Sequence, residues 1–351
     1  MEINCFITSK KMKKENLPSL SIIIVIKNVE RTIAGVLERI AIQDYPQDKI
    51  EILVIDGKST DRSLDIIKSF KLPIKIYQSE YPDDPESSRA VGLKKAKGDI
   101  VVYIDSDNYL PHSRWIRKMI IPFQEHPEIV GSEVWKYGYR KEDNYLNRYF
   151  ALIGSADTAA MALGTADKVP YLYDHWNLYG EIIREEKNYF IIEFQIGYFP
   201  TIGSNGFFVW RKLLLKAKSD PLYYVHTDIP IDLAHLGYRK YAIVKDTIIH
   251  DTAESMLKFL RKRGHYMRIL YQQRAKYRRY LIFDPKRLRD WYYLILYIIF
   301  ASTFIQPFLV SLRGYIKKRD PAWFVHPVFS FLLMLTYGWA VISRFFINIR
   351  K

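Results

Sequence analysis

From Ser19 onward the chain alternates short, continuously apolar runs with stretches whose apolar residues recur at helical spacing, and this alternation constrains the fold more than any other feature. SLSIIIVIKN is followed by ERTIAGVLERIAIQDY, in which Ile33, Val36, Leu37 and Ile40 keep helical spacing. IEILVIDGKSTDRSLDIIKSF repeats the unit of strand, polar turn and helix, and IKIYQSE, PESSRAVGLKKAKG and GDIVVYIDSDNYLP extend it. The pattern predicts an α/β fold, a mostly parallel sheet flanked by helices. Ligands of such sheets bind outside the carboxyl ends of the strands, so Asp56 and Asp105, each closing an apolar run, are expected to share one edge.

The last of these runs poses a chemical question. Ile100 to Ile104 suit a sheet interior, yet they lead straight into Asp105-Ser106-Asp107. Two carboxylates separated by one residue are either turn formers or ligands for a hard cation such as Mg²⁺ or Mn²⁺, whose other positions go to water and substrate phosphates. The charge balance points to an anionic partner: 53 Lys+Arg stand against 38 Asp+Glu, a formal +15. Nucleic acid, acidic lipid and phosphorylated substrates share that sign, but no nucleic-acid-binding motif accompanies the charge, so nucleic acid is not an expected partner. A metal bridging two phosphates would neutralise charge on a departing nucleoside diphosphate. Asp56 is placed to accept hydrogen bonds from a base or ribose, and Arg89 to reach the same nucleotide as a charged donor.

The organisation divides into a basic leader (1–18), a catalytic region (19–252), a basic amphipathic segment (253–290) and a membrane region (291–351). The single cysteine, Cys5, and a start without an apolar signal core suggest a reducing, cytosol-facing catalytic region. Residues 132–202 are less regular and rich in aromatics. Between Ala253 and Arg289, basic residues alternate with Leu257, Leu260, Met267, Leu270 and Tyr271, which predicts an amphipathic helix lying at a membrane interface. Trp291–Leu312 carries no charge, and Trp323–Ile347 is a second long apolar run, so two transmembrane helices are expected. The basic loop RGYIKKRDP between them conflicts with the positive-inside rule, because two full spans would carry it away from the catalytic side; Pro307 offers a point at which the first run can break.

SIIIVIKN, VIDGKSTDRS, SRAVGLKKAKGDIVVYIDSDNYLP, GSNGFFVWRKLL and TDIPIDLAHLGYRKYAIVKDTIIH, in this order, resemble the inverting family-2 glycosyltransferases of GT-A fold over Ser19 to Asp251. The resemblance implies that Asp56 contacts the nucleobase, and that Asp105 and Asp107 hold the metal and donor diphosphate, with Asp107 the direct ligand and Asp105 nearer the ribose. It further implies that His250 completes the metal shell and that Ile26, Asn28, Arg89 and Ser106 belong to the donor side. Asp228, in the Thr227-Asp228 pair where the family usually has Glu-Asp, inherits the role of general base, with Asp232 in reserve. Asn205 and Gly203, in the GSNG turn, would meet the acceptor. Lys27-Asn28 and Ala90 also depart from the common pattern.

The basic stretch is similar to the segment following the catalytic core in members that build lipid-linked glycans, while the Gln-x-x-Arg-Trp signature of processive synthases is missing. The expected donor is a UDP- or GDP-sugar, and the expected setting is a cell membrane crossed more than once, with membrane lipids as neighbours and the catalytic domain facing the cytoplasm. Two acceptors follow: a polyprenyl or dolichyl lipid-linked sugar, with Asp228 as base, or polyprenyl or dolichyl phosphate itself, gripped by Arg261, Arg263 and Arg268. The first is preferred because a base candidate is present. A basic membrane-surface protein without catalysis is the non-enzyme alternative.

Overall fold

The computed structural model of the protein describes residues 17–269, 272 and 274–349, with side chains to residue 344. Most of the basic leader, Cys5 included, and two residues of the expected amphipathic face, Leu270 and Tyr271, lie outside the described residues. The strands are β1 (Leu20–Ile26), β2 (Ile50–Asp56), β3 (Ile74–Gln78), β4 (Ile100–Tyr103), β5 (Asn108–Tyr109), β6 (Gly131–Tyr137), β7 (Glu181–Glu185), β8 (Tyr189–Glu193), β9 (Phe207–Trp210) and β10 (Lys240–His250). The helices are α1 (Ile33–Ala41), α2 (Ser63–Ser69), α3 (Pro85–Lys95), α4 (Trp115–Glu125), α5 (Tyr145–Ile153), α6 (Thr158–Ala162), α7 (Arg211–Leu214), α8 (Ile229–His235), α9 (Met256–Arg268), α10 (Leu288–Thr303), α11 (Ile305–Lys317) and α12 (Val325–Ile349).

The strands form one sheet in the order β3-β2-β1-β4-β9-β6-β10-β8-β7, with β5 paired to the end of β10. The half from β3 to β4 is parallel, as the alternation predicts. Beyond β4 the sheet is mixed rather than mostly parallel, because β9 enters antiparallel between β4 and β6 and β8 runs antiparallel to β10. Successive residues of each central strand face opposite sides. Ile22, Ile24, Ile52 and Val54 pack with Ile33, Val36, Leu37 and Ile40 of α1 on one face. Ile23, Leu53, Ile55 and Val101 pack with Ala90 and Leu93 of α3 on the other. Burial on both faces is why these runs are continuously apolar, and each such side chain contributes about 1.5–3 kcal/mol relative to exposure.

The C-terminal part departs from two straight spans. Among the described residues one helical stretch, Pro321–Arg344, is by itself long and apolar enough to cross a membrane, and α10 and α11 reach that measure only when taken together. Trp291–Leu312 is instead broken into α10 and α11, which meet at 80°. The break falls at Phe304, in the left-handed region at φ 62, and Pro307 sits in the first turn of α11. Proline has no N–H and its ring collides with the carbonyl four residues back, here Thr303, which is the last residue of α10. The basic loop after α11 returns to the catalytic domain: Lys317 pairs with Asp174, Lys318 lies 3.8 Å from the Tyr139 ring, and Asp320 pairs with Arg148 at 3.0 Å.

The expected interfacial helix is likewise not free for a lipid surface on its apolar side. Phe259 and Leu260 of α9 are buried against Phe150 of α5 and against Phe329 and Leu333 of α12, while Leu257 stays exposed. α9 thus runs along α12, with Arg263 Nε donating to Tyr337 Oη at 2.9 Å.

Candidate active site

The carboxyl ends of β1 and β4, the start of α3, the loops before β9 and α8, and the inner face of α9 enclose a cleft of about 610 Å³. Three local devices shape it.

The first is the loop after β4. β5 pairs antiparallel with the end of β10, His250 opposite Asn108, and this brings His250 Nε2 to 3.5 Å from Asp107 Oδ1. Burial works against the charge on Asp107, but the neighbouring His250 outweighs it and holds the carboxyl at about 2; burial likewise opposes the imidazolium, and Asp107 holds the His250 pKa above its ordinary value. Asp105 turns the other way. Arg89 Nη2 donates to Asp105 Oδ1 at 2.6 Å and Nη1 donates to Glu86 Oε1 at 2.6 Å. Glu86 also accepts from the His226 backbone N at 2.8 Å and faces its Nδ1 at 2.8 Å. Against the burial penalty, His226 and Arg89 hold the Glu86 carboxyl well below the usual carboxylate range. Asp84 caps α3 through the backbone N–H groups of Glu86 and Ser87, with Pro85 in the first turn, and so fixes where Glu86 and Arg89 point.

The second device knits the exits of β1 and β2. Asn28, at φ 54, accepts from Thr60 N at 2.8 Å, and Asp56 Oδ1 accepts from Ser59 N at 3.0 Å. Asp56 is buried behind the rim.

The third is a wall that continues from the Asp105–Asp107 loop. Asp105 N donates to Asn108 Oδ1 at 3.0 Å, Asn108 Nδ2 to Asn205 Oδ1 at 3.1 Å, Asn205 Nδ2 to Tyr137 Oη at 3.2 Å, and Tyr137 Oη to Asp167 Oδ2 at 3.1 Å. Behind it, Lys168 and Glu133 form an ion pair that is almost fully buried. Asp157, at the start of α6, is held by Arg263 and Tyr337. α9 and the segment after it roof the cleft with Lys262, Arg263, His265, Arg274 and Arg278.

A sheet of this topology with paired aspartates at its edge has counterparts among known proteins. The profile of "Glycosyl transferase family 2" matches residues 21–212, more than half the chain and the whole of the Asp105–Asp107 region. The chain belongs to that family. Its structure is similar to the mannosyltransferase PcManGT from Pyrobaculum calidifontis in complex with GDP-Man and Mn²⁺, with a TM-score of 0.52 at 16% identity over 93% of this chain and 88% of that one, which establishes a GT-A-like fold. Over 121 residues it is 36% identical to the dolichyl N-acetyl-alpha-D-glucosaminyl phosphate 3-beta-D-2,3-diacetamido-2,3-dideoxy-beta-D-glucuronosyltransferase of Methanococcus voltae, covering 32% of this chain and 37% of that protein. Over 93 residues it is 38% identical to the poly(ribitol-phosphate) beta-N-acetylglucosaminyltransferase TarS of Staphylococcus aureus, covering 26% of this chain and 16% of that protein. The chain therefore spans well under two thirds of either relative.

Of the residues expected in this glycosyltransferase's site, Arg89, Asp105, Ser106, Asp107, Asn205, His250 and Arg263 line the cleft. Ile26 is buried and its carbonyl accepts from Gly57 N at 2.8 Å, so it shapes the end of β1. Gly203, at φ +118, shapes the turn: a Cβ there would lie 2.5 Å from the His226 carbonyl oxygen. Arg261 and Arg268 are exposed and do not line the cleft, whereas Arg263 and the likewise exposed Lys262 do.

The expected base, Asp228, is not among the residues that line the cleft. Asp228 is fully buried, and its two carboxylate oxygens lie 3.1 and 3.2 Å from Arg278 Nε, with Oδ1 also accepting from Tyr280 N at 2.8 Å. A carboxylate held this way by a guanidinium and a backbone donor is a structural anchor, poorly suited to take a proton from a substrate. The reserve candidate, Asp232, is gripped by Arg279 through two bonds of 2.8 Å. Sequence reasoning did not single out Glu86, His226, Tyr137, Asp167 or Lys168. Only Glu86, three residues before Arg89 on a helix, left a local signal, the i,i+3 pairing of opposite charges.

Proposed function

We propose that the protein is an inverting glycosyltransferase that moves a sugar from a UDP- or GDP-sugar onto a polyprenyl or dolichyl lipid-linked sugar or oligosaccharide at a membrane, during glycan assembly. The observation that carries this reading is the pair Asp107–His250 beside the pair Asp105–Arg89, at the carboxyl edge of the parallel half-sheet. The names of the relatives, one with a dolichyl-linked acceptor and one with poly(ribitol-phosphate), support an acceptor of the carrier-borne or polymeric kind.

Mg²⁺ or Mn²⁺ fits the donor set in part. Among the described residues no three His, Cys, Asp or Glu side chains gather as a metal cluster. Asp107 and His250 would supply two ligands, and a cation of this type commonly takes only one or two from the protein and the rest from phosphates and water. Asp105 is committed to Arg89 and falls outside that set. When bound, the ion would draw charge from the departing diphosphate. The chain's own contributions are positional: Arg89 keeps Asp105 oriented at the donor side, Lys262 sets a positive charge over the same region, and Asn205 lines the cleft with its amide held by Asn108 and Tyr137.

The membrane setting rests on α12 and on apolar side chains that α10 and α11 leave exposed, among them Trp291, Ile295, Phe308 and Leu309. In place of two spans, the bent pair dips and returns, so that the end of α11 and the loop of residues 318–320 stay with the catalytic domain on the cytoplasmic side. That arrangement satisfies the positive-inside rule.

A second reading, transfer onto polyprenyl or dolichyl phosphate, is favoured by the sealing of Asp228, since a phosphate oxygen needs no base, and by the cationic roof. Incubating radiolabelled UDP- and GDP-sugars with dolichyl phosphate and with a lipid-pyrophosphate sugar separates the two. Label on the lipid-linked sugar is expected, and label on bare phosphate alone would overturn the first reading.

A further inference from the structure

We infer that Asp167 is the general base of the transfer reaction, in place of Asp228, which does not line the cleft; this rests on the reading above in which the acceptor is a sugar hydroxyl. The cleft is lined by the carboxylates of Asp83, Asp84, Glu86, Asp105, Asp107, Asp157 and Asp167. Six of them face a cation: Asp83 pairs with Lys27, Asp84 with Arg274, Glu86 and Asp105 with Arg89, Asp107 with His250, and Asp157 with Arg263. Among the described residues Asp167 alone of this set has no ion-pair partner within 4.0 Å, and its single hydrogen bond, from Tyr137 to Oδ2, leaves Oδ1 unengaged.

Its position suits the role. The chain of hydrogen bonds from the Asp105 backbone through Asn108, Asn205 and Tyr137 ends at Asp167, which lines the same cleft as the donor corner. In this proposal an acceptor sugar hydroxyl enters the cleft between the bound donor and Asp167, both of which the cleft can accommodate along one wall. In the transfer, that hydroxyl oxygen bonds to the anomeric carbon while its proton passes to Asp167 Oδ1. The bond from the anomeric carbon to the diphosphate oxygen breaks, and its electron pair leaves with the nucleoside diphosphate. Attack from the side opposite the leaving group inverts the configuration.

The surroundings keep the group usable as a base near neutrality. Burial pushes the Asp167 carboxyl up and Asp157 adds to this, while Lys168, Arg263 and the Tyr137 hydroxyl pull it down; the balance lies above the ordinary carboxylate value. A raised pKa makes the carboxylate a better proton acceptor as long as it remains ionised. Tyr137 also fixes its orientation, and the buried Lys168–Glu133 pair anchors the strand next to it.

The test is Asp167→Asn and Asp167→Glu in the full-length protein, read by transfer onto a lipid-linked sugar, by slow hydrolysis of the sugar nucleotide in the absence of acceptor, and by calorimetric affinity for the free nucleoside diphosphate with Mn²⁺. Asp167→Asn is expected to lower kcat for both reactions at least 100-fold, with nucleotide affinity within about twofold of wild type, in line with the usual size of general-base contributions. Asp167→Glu should recover part of the rate, and its pH profile should shift on the acid limb. Hydrolysis and transfer within threefold of wild type in Asp167→Asn would overturn the assignment, as would a parallel loss of nucleotide affinity, which marks a structural role. Hydrolysis judges the base whatever the acceptor, so a wild-type enzyme that labels only lipid phosphate would refute the acceptor reading separately.

Discussion

Arg278 places its Nε between the two carboxylate oxygens of Asp228, at 3.1 and 3.2 Å, and both side chains are withdrawn from solvent. The pair ties the start of α8 to the segment that follows α9, and through it the roof to the floor of the cleft. Breaking one side of such a pair leaves an uncompensated buried charge, which typically costs about 3–5 kcal/mol. Arg278→Ala is therefore expected to lose stability on that scale in urea unfolding followed by circular dichroism. Asp228→Asn should also lose stability. If Asp228→Asn instead unfolds at the wild-type midpoint while its turnover vanishes, Asp228 is the base after all.

Asp107 and His250 should govern metal-assisted nucleotide binding. In calorimetry with UDP or GDP, wild type is expected to bind more tightly with Mn²⁺ than with EDTA, and Asp107→Ala should erase that increment. Asp105→Ala should weaken binding in both conditions, because Arg89 keeps Glu86 but loses the partner that holds its Nη2 at the donor side, rather than a metal ligand being lost. An equal Mn²⁺ increment in wild type and Asp107→Ala would remove Asp107 from the metal site.

Glu86 should shape the acid limb of stability. Its folded pKa lies below the ordinary 4.5, so the stabilisation it gives is fully present above the unfolded value and is lost as the pH falls through the folded one. Wild type is thus expected to lose stability steadily below about pH 4.5. Glu86→Gln should start less stable at pH 7 and show a flatter profile below that point. Parallel profiles, measured by thermal melts across the acid range, would show that the pair with Arg89 and His226 contributes no linkage.

The bend at Phe304 predicts a topology. In a Cys5→Ser background, Arg319→Cys and Lys212→Cys should react with a membrane-impermeant maleimide from the same side of sealed vesicles, because the loop after α11 docks on the catalytic domain. Opposite-side labelling would restore two full spans. Pro307→Leu removes the clash with the Thr303 carbonyl, and it is expected to lengthen α10 and weaken the docking of that loop.

What the sequence determined by itself was whatever depends on neighbours along the chain. The continuous apolar runs of β1, β2 and β4 and the spacing of α1 specify strands buried on both faces, and strand polarity then sets Asp56 and Asp105 at one edge. The Asp-Ser-Asp turn, the histidine that closes β10 and the possible break near Pro307 were legible for the same reason: each is a local statement about backbone and side-chain type. The tertiary structure decided which charges meet. Asp228 and Arg278 are 50 residues apart, Arg89 and His226 are 137 apart, and Tyr137 and Asp167 are 30 apart, and no local pattern announces any of these pairings. An aspartate in sequence is the same whether it faces water, a guanidinium or a phenol; its chemistry is set by burial and by the partner the fold delivers. That competition among cations sealed Asp228 and left Asp167 open to the cleft.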